Sequence, residues 1–495
     1  MNKIKMGWSE SDLTPQGRTV ELAGQFYERI SDQVETPICV TALAIECGGE
    51  SAVFCSCDLA ATSTHLLAEV RKRVDGKDGF PTDKLMLNAI HTHTSLGYAG
   101  RSDGAGSSLS VLKRLMPPER QYKPLVKSED PKLLNGEEAL FYLADKIADA
   151  ALDAWNKRSD AMYAQGFGRA AVGLCRRVCY DDGSAKMWGD TNMANFTELE
   201  GGNDSGIELL FTYDASKKLT GVIANVACPA QVLEHRNFIS SDYMGKVKEK
   251  LRKKLGDDIY FLGLVSPAGD QCPRDLVRWV EPETPINDPN IERPDVIERV
   301  ADPSMFDIKG CDRAARRIAD EILYALEDVC EYKEDSVLKH KVISLDMPLR
   351  RVTIEEKDKA EEAIKRFINE TEGEFTYVDN AKMHVHAGTI ARYEIQQKMD
   401  VKNIEVHIIR LGNIAFATNP YELFLDYGNQ IRARSRASQT FLIQLCCGSC
   451  GYLPTQKAEK GSHYSAYVSS GTSGHIGGDL LVRKTVSEIN AMLAE

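Results

Sequence analysis

The feature of the sequence that most constrains the fold is a short apolar run, residues 85–90, that ends at His91 and His93. Thr, Ser and Gly residues follow and cannot extend the run, so the pattern predicts a buried strand that stops at the two imidazoles. In an open α/β sheet, ligands bind outside the carboxyl ends of the strands, which suits this pair for holding a metal or a substrate. The alternative interpretation is two polar residues that end a strand and hydrogen-bond a loop.

Hydrophobic periodicity along the rest of the chain predicts an α/β fold with mixed β-sheets flanked by helices. A helix and a strand follow a predicted hairpin, which gives a β-α-β unit and a parallel component in the sheet. No linker divides the chain cleanly, so we predict one large domain over residues 1–495. The predicted strands are 36–46, 52–58, 84–90, 161–172, 207–213, 219–227, 258–265, 401–411, 413–418 and 440–446, and the predicted helices are 65–74, 137–157, a segment capped at 240–242 and ending near 255, 308–328 and 479–493.

Three further segments carry predictions that bear on a site. Residues 94–135 and the acidic, proline-rich stretch up to Pro303 are far longer than ordinary connections, so we interpret them as functional loops beside a pocket. Helical patterns dominate residues 335–400, which predicts a helical subdomain within the large domain. Pro420 suits the first turn of a helix, so the segment around Glu422 is predicted to open one.

The composition restricts the class of partner. A formal net charge of −12 argues against a nucleic-acid partner, which would need a basic face, so a small-molecule substrate is the expected partner and homo-oligomerisation is left open. No run of eighteen apolar residues and no signal-peptide pattern is found, which predicts a protein without an integral membrane segment. The thirteen cysteines are odd in number and mostly lie in apolar runs, which indicates reduced thiols and a cytoplasmic location.

Polar residues follow five of the predicted strands. These strands end at His91, Cys228, the 266–272 loop, Glu422 and Tyr452. Zinc accepts imidazole nitrogen, carboxylate oxygen and thiolate, and a catalytic site keeps one position for water, so His, Glu and a third ligand would make a hydrolase metal centre if these ends meet.

The same residues carry a resemblance to the neutral ceramidase family, which comprises zinc-dependent amidases. Residues 90–95, Ile-His-Thr-His-Thr-Ser, resemble the His-Thr-His-Ser motif of that family. The likeness continues in chain order and covers most of the sequence, so the assignment is more specific than any single motif. The other matching segments are 12–15, 53–59, Cys228-Pro229 with 239–242, 269–273, 420–424, and 451–455 with Tyr464.

Carried over by position, the resemblance implies a zinc ion held by His91, Glu422 and Tyr452. It also implies that His93 contacts the substrate and that Tyr464 lies near the developing oxyanion. Asp270, in the Gly-Asp segment of the resemblance, is assigned to substrate binding.

Two cysteines depart from the family pattern. Cys228 stands where the family has its second zinc-binding histidine; it is our fourth candidate ligand, with His235 from the same segment, or an altered or absent metal, as alternatives. Cys272 stands where the family has a catalytic serine, and it would be a nucleophile if Arg274 or zinc lowered its pKa. Packing of a buried thiol is the alternative for both.

Three other motifs receive weaker interpretations. Arg176 is a candidate substrate-binding cation, although an exposed charged turn is the simpler interpretation of the Arg176-Arg177 pair. The Cys447-x-x-Cys450 motif lacks a second pair at matching spacing, which favours buried or loop thiols over half of a zinc site or a redox pair. His384 and His386 are interpreted as a surface pair.

Together these observations predict a zinc-dependent hydrolase that acts on a C–N (amide) bond. We expect no counterpart of the family's β-sandwich domain or secretion signal, and therefore a smaller, more polar substrate than membrane ceramide. The alternatives are a metal-assisted esterase or carbohydrate-active hydrolase on the same scaffold, and a catalytically silent binding or scaffold protein.

Overall fold

The computed structural model describes residues 2–103, 107–121, 131–280, 300–302, 305 and 307–494. The helices in this part of the chain are α1 (Thr64–Val74), α2 (Ser108–Leu115), α3 (Gly136–Asn156), α4 (Asp242–Leu255), α5 (Asp307–Glu327), α6 (Ile354–Glu370), α7 (Tyr377–Gln396), α8 (Leu425–Arg434), α9 (Gln456–Gly461) and α10 (His475–Ala494).

The strands are β1 (Asn2–Asp12), β2 (Thr19–Glu21), β3 (Ile30–Ser31), β4 (Cys39–Cys47), β5 (Glu50–Cys57), β6 (Leu85–Ala89), β7 (Leu133–Leu134), β8 (Ser159–Arg169), β9 (Leu174–Cys175), β10 (Arg177–Tyr180), β11 (Ala185–Met187), β12 (Phe196–Leu199), β13 (Gly206–Asp214), β14 (Leu219–Val226), β15 (Tyr260–Val265), β16 (Gln271–Cys272), β17 (Asp275–Val280), β18 (Val300–Asp302), β19 (Asp335–Ser336), β20 (Leu338–Pro348), β21 (Val401–Leu411), β22 (Ile414–Thr418), β23 (Glu422–Leu423), β24 (Gln439–Ile443) and β25 (Tyr452–Leu453).

The largest sheet has the strand order β15-β14-β13-β8-β1-β4-β5-β6, with β19 also paired to β1. The β4 and β5 strands form the predicted antiparallel hairpin, and β6 returns parallel to β5 after the crossover helix α1, so the β-α-β unit is confirmed. All five residues of β6 are buried, as expected for a parallel strand covered on both faces. The predicted α/β class with mixed sheets and flanking helices is therefore confirmed.

The two halves of this sheet face each other across a shared apolar core. Ser56 Oγ on β5 donates a hydrogen bond to the Gly263 carbonyl oxygen on β15 at 2.6 Å, and Trp8 Nε1 on β1 donates to Thr212 Oγ1 on β13 at 3.0 Å. Strands from opposite edges of the sheet, β15 and β6, are in contact. The sheet therefore curves back on itself, which brings the carboxyl ends of β6 and β15 close together.

A second, four-stranded sheet has the order β20-β21-β22-β24, with β22 and β24 parallel. The loop that follows β24 links the two sheets through backbone hydrogen bonds. Cys447 N donates to the Leu87 carbonyl of β6 at 2.8 Å, and Gln444 N donates to the Val265 carbonyl of β15 at 3.1 Å. The ends of β6, β15 and β24 therefore meet in one region of the molecule.

The predicted helix opening at Glu422 is wrong. Glu422 and Leu423 form the short strand β23, which pairs in parallel with β25, and α8 begins at Leu425. The Glu422 N–H donates to the Gly451 carbonyl oxygen at 2.9 Å, while the Leu425 N–H donates to Asp270 Oδ1 at 2.9 Å. Long-range partners thus delay the helix by one short strand.

The region predicted to be a helical subdomain, residues 335–400, contains strand as well as helix. Residues 338–348 are the strand β20 of the second sheet, and the helices α6 and α7 occupy the rest, with α7 packed against α2. In the predicted long loops, residues 104–106, 122–130, 281–299 and 303 lie outside the described part of the chain. Among the helices that are described, none combines the length and the apolar character needed to cross a bilayer.

Candidate active site

His91 lies immediately beyond β6, and its backbone is in the left-handed region with φ of 68°. Its Nδ1 is 2.7 Å from the Ala60 carbonyl oxygen. Because a carbonyl can only accept a hydrogen bond, Nδ1 carries the proton and the lone pair of Nε2 faces the site. A local turn and one backbone contact therefore give His91 the tautomer that a metal ligand needs.

Glu422 and Tyr452 are brought side by side by strand register. They are paired residues of the parallel strands β23 and β25, so their side chains leave the same face. Glu422 Oε2 lies 3.4 Å from His91 Nε2. Arg176 Nη2 donates hydrogen bonds to the Tyr452 hydroxyl at 3.1 Å and to the Gly269 carbonyl at 2.8 Å. The structure thus joins His91, Glu422, Tyr452 and Arg176.

His93 completes this group from the other side. Its Nε2 lies 3.1 Å from His91 Nε2, and the two ring centroids are 4.7 Å apart in an edge-to-face arrangement. Its Nδ1 lies 3.4 Å from Glu234 Oε2. Arg29 fixes the backbone on both sides, because its guanidinium donates to the carbonyl oxygens of His93 and Glu234. His93 is therefore held between a second imidazole and a carboxylate.

The group opens into a cavity of about 840 Å³. His93, Arg176, Tyr452 and Tyr464 line its inner end, and the Tyr452 and Tyr464 rings meet edge to face with centroids 5.5 Å apart. Further lining residues include Gln25, Phe26, Asp182, Lys186, Met187, Trp188, Asp190, Met193, Gln231, Glu234, His384, Val385 and His463. A cleft of this volume, with apolar walls and a few convergent polar groups, is typical of a small-molecule site.

Burial and mutual charge set the protonation states. Burial lowers the pKa of His91, but the Glu422 carboxylate outweighs it and raises that pKa above its ordinary value. Burial together with the neighbouring His91 and Arg29 holds the pKa of His93 well below its ordinary value. Burial raises the pKa of Tyr464 to about 12. At neutral pH the site therefore contains a neutral His93 and a protonated Tyr464 phenol.

Glu422 remains ionised in these surroundings. Burial raises the pKa of its carboxyl, but His91 and Arg176 outweigh burial and hold it below its ordinary value. The Glu422 carboxylate and the His91 imidazole are donors of the kinds that zinc accepts. Burial and Glu422 raise the pKa of the Tyr452 phenol well above its ordinary value, so His91 and Tyr452 would each bind the ion through an atom from which the metal displaces a proton. The chemistry of these residues therefore fits a zinc ion.

Cys228 is buried in the apolar core, and its thiol is directed at backbone. The Sγ lies 3.4 Å from the Val172 carbonyl oxygen, and burial raises the pKa of the thiol well above its ordinary value. His235, the alternative ligand, is partly exposed, with Nε2 4.0 Å from Asp307 Oδ1. The residue of this segment that approaches His93 is instead Glu234.

Cys272 is also fully buried and does not line the cavity. Its Sγ lies 3.4 Å from the Arg274 carbonyl oxygen. Burial raises the pKa of the thiol, although Arg176 and Arg274 lower it in part. The lowered pKa that we required of a nucleophile is not found, because the desolvation of the buried thiolate exceeds the attraction of the two arginines.

Asp270 acts on the site through the backbone. Its Oδ1 accepts the first N–H of α8, its carbonyl oxygen accepts the Arg176 N–H at 2.9 Å, and its side chain does not line the cavity. Burial raises the pKa of its carboxyl to about 6. Asp270 thus positions Arg176, whereas the Arg176 side chain lines the cavity.

Several cavity residues were not identified from the sequence. Glu234 gave a weak signal, since it precedes the histidine that was considered. His384 was interpreted as half of a surface pair; it lines the cavity, and its Nδ1 lies 2.9 Å from Ser108 Oγ, while His386 is exposed. Phe26 and His463 carried no pattern that would have separated them from other loop residues.

The chain is similar to solved ceramidase structures over its whole length. Neutral ceramidase from Pseudomonas aeruginosa superposes with a TM-score of 0.67 at 14% sequence identity, covering 100% of this chain and 75% of that one. A ceramidase complexed with C2 gives a TM-score of 0.66 at 13% identity, covering 99% of this chain and 75% of that one. No family model matches the sequence, and no curated protein matches it. The protein therefore has the neutral ceramidase fold, as the motifs predicted, in a widely divergent sequence.

Proposed function

We propose that this protein is a zinc-dependent hydrolase that cleaves a C–N (amide) bond of a small or polar substrate. The observation that carries the proposal is the convergence of His91, Glu422 and Tyr452 next to His93. Tyr452 and His93 line the cavity, whereas His91 and Glu422 are not among its lining residues. The shared fold supports it only indirectly, because one fold serves many reactions.

The proposed ligands are His91, Glu422 and Tyr452, with Cys228 kept as the sequence-based candidate for a fourth. Bound there, zinc would supply Lewis-acid polarisation of the scissile carbonyl. Arg176 orients the Tyr452 oxygen by donating a hydrogen bond to it. Asp270 holds the Arg176 backbone in place.

Proton transfer is assigned to His93 and Tyr464. The neutral His93 ring accepts the proton of the attacking water, and Glu234, 3.4 Å from Nδ1, stabilises the imidazolium that forms. The Tyr464 phenol keeps its proton at neutral pH and donates a hydrogen bond to the developing oxyanion. Cys272 packs behind this site in the proposed mechanism and is not its nucleophile.

The lining of the cavity favours a substrate that is polar at its reacting end. Arg176 and Glu234 offer a cation and an anion at the inner end, while Phe26 and Met187 provide apolar contacts further out. The free thiols of all thirteen cysteines suit the reducing cytoplasm, which remains the proposed location.

The test is hydrolysis of a panel of amides, esters and glycosides by zinc-reconstituted protein. Glu422→Gln keeps the side-chain shape and removes the charge, so we expect it to bind about one zinc fewer per chain and to lose activity by at least about a hundredfold. Glu198→Gln, at an exposed carboxylate that pairs with Lys457, is the matched control. It should retain the bound zinc and the activity.

The panel also separates the alternatives. Turnover of esters or glycosides without amides would assign the metal-assisted esterase or carbohydrate-active hydrolase. A catalytically silent binding protein, suggested by the two buried thiols at the positions of a family histidine and serine, would turn over none of them. Full amide hydrolysis by Glu422→Gln would contradict the proposed site.

A further inference from the structure

A second cluster of metal-ligating side chains lies between the two sheets, and its residues are absent from the lining of the cavity. Glu405 and His407 are on β21, His340 is on the neighbouring strand β20, and Cys446 and Cys447 follow β24. The ligand atoms of Glu405, His407 and Cys447 all lie within 4.8 Å of one another. Together with His340 and Cys446, these residues are called the thiol–histidine cluster below.

Hydrogen bonds fix the tautomers of both histidines in the cluster. His340 Nδ1 lies 2.9 Å from the Ser51 carbonyl oxygen, which can only accept, so Nδ1 carries the proton. The lone pair of the neutral His340 ring is therefore on Nε2, which is an acceptor. That Nε2 lies 2.8 Å from His407 Nδ1, which therefore donates. His407 Nε2 is left to face Glu405 and Cys447.

Three electron-rich atoms therefore converge on one point. His407 Nε2 lies 2.8 Å from Glu405 Oε1 and 3.7 Å from Cys447 Sγ, and Cys446 Sγ is 3.8 Å from Cys447 Sγ. A carboxylate, an imidazole lone pair and a thiolate can share such a point only around a proton or a cation. In a tetrahedral zinc site, adjacent sulfur and nitrogen ligands lie about 3.5 to 3.8 Å apart, which agrees with the two sulfur distances.

We propose that Glu405, His407 and Cys447 bind a zinc ion at a structural site. The donor set of sulfur, nitrogen and oxygen is the one that zinc prefers. His340 positions His407 by accepting its Nδ1–H, as the outer partners of metal-bound histidines do. The site ties the loop after β24, which holds the carboxyl ends of β6 and β15, to the second sheet.

The charges around the cluster suit this ion. Arg71 donates two hydrogen bonds to the Glu405 carboxylate, at 2.9 and 2.8 Å, which keeps it ionised and oriented. The 2.8 Å hydrogen bond from Nε2 to Oε1 is the contact that the ion replaces.

This site is independent of the proposed hydrolase centre, and a spectroscopic test separates the two. Cobalt(II) substituted for zinc gives an intense thiolate-to-metal band in the near ultraviolet only when cysteine sulfur is a ligand. We expect this band in the cobalt-loaded wild-type protein and in Glu422→Gln. We expect its loss in Cys447→Ala, with about one metal ion fewer per chain.

Cys450→Ala is the matched control, because Cys450 is a buried thiol of the same loop that makes no contact with the cluster among the described residues. It should keep the band. Absence of the band from the wild-type protein overturns the proposal even if the Cys447 variant does not fold. A band that survives in Cys447→Ala and disappears in Cys228→Ser also overturns it, since the thiolate would then belong to the hydrolase centre.

Discussion

Gly24 determines how closely the chain approaches the His93 ring. Its φ is +98°, and a Cβ built there would overlap Cβ and Cγ of His93. Gly17 has a similarly positive φ of +68°, and no described heavy atom lies within 4 Å of the Cβ that alanine would add. The two glycines therefore separate backbone strain from contact with the site.

We predict that Gly24→Ala lowers kcat by at least about tenfold because it displaces His93. Gly17→Ala should lower the free energy of unfolding by about 1 kcal/mol, the cost of a left-handed alanine. Gly24→Ala should lower it by more, because its Cβ also overlaps His93. The measurements are kcat on the substrate found in the panel and denaturant unfolding. Equal activities of the two variants would show that Gly24 does not restrain His93.

Asp270 provides a pH-dependent contribution to stability. Burial raises the pKa of its carboxyl from 3.8 to about 6, so between these values the folded state binds the proton more tightly than the unfolded state. Stability from this group is therefore greatest below about pH 4 and is lost as the pH rises through about 6. The shift of about two units corresponds to roughly 3 kcal/mol.

We predict that Asp270→Asn flattens the fall in unfolding free energy between about pH 4 and about pH 7 relative to wild type. Asparagine keeps an acceptor for the Leu425 N–H but does not titrate. Urea unfolding at both pH values provides the measurement. An unchanged pH profile would mean that the carboxyl is not desolvated in the folded protein.

At the scale of elements, the short pair β23 and β25 does most to assemble the site. Parallel pairing sets Glu422 opposite Tyr452, and α8 follows at once with its first N–H held by Asp270. Helix α7 contributes the outer wall of the cavity through His384 and Val385. Part of the helical segment predicted between residues 335 and 400 thus lines the cavity.

The α7 wall offers a matched pair of substitutions. His384 lines the cavity, and His386 is exposed on the same helix. We predict that His384→Trp raises KM by about tenfold, equivalent to about 1.4 kcal/mol, because the larger ring narrows the cavity. His386→Trp should leave KM unchanged. Steady-state kinetics of both variants would test this, and equal KM values would remove α7 from the substrate path.

At the scale of the whole molecule, the hydrogen bonds that link the two sheets support the prediction that the chain forms a single domain. The loop after β24 hydrogen-bonds to both β6 and β15, and β24 itself belongs to the second sheet. We predict one cooperative unfolding transition, with equal calorimetric and van't Hoff enthalpies. Scanning calorimetry of the metal-free protein is the measurement. Two separate transitions would show that the sheets belong to different domains.

The sequence determined the local features. The alternation and the apolar runs placed the β4 and β5 hairpin, the β5-α1-β6 unit and the strand end at His91, because these depend on neighbouring residues. The order of short motifs along the chain was enough to predict the neutral ceramidase fold, and the structural similarity confirms that prediction. The metal ligands named from that resemblance remain predictions.

Only the tertiary structure decided which side chains meet. Glu422 forms a strand rather than opening a helix because its N–H is bound by Gly451, nearly thirty residues away in the sequence. Glu234 rather than His235 approaches His93, and Cys447 contacts His407 and Cys446 rather than joining a Cys-x-x-Cys site with Cys450. Each of these outcomes depends on contacts between distant segments and on burial, and periodicity within a short window contains neither.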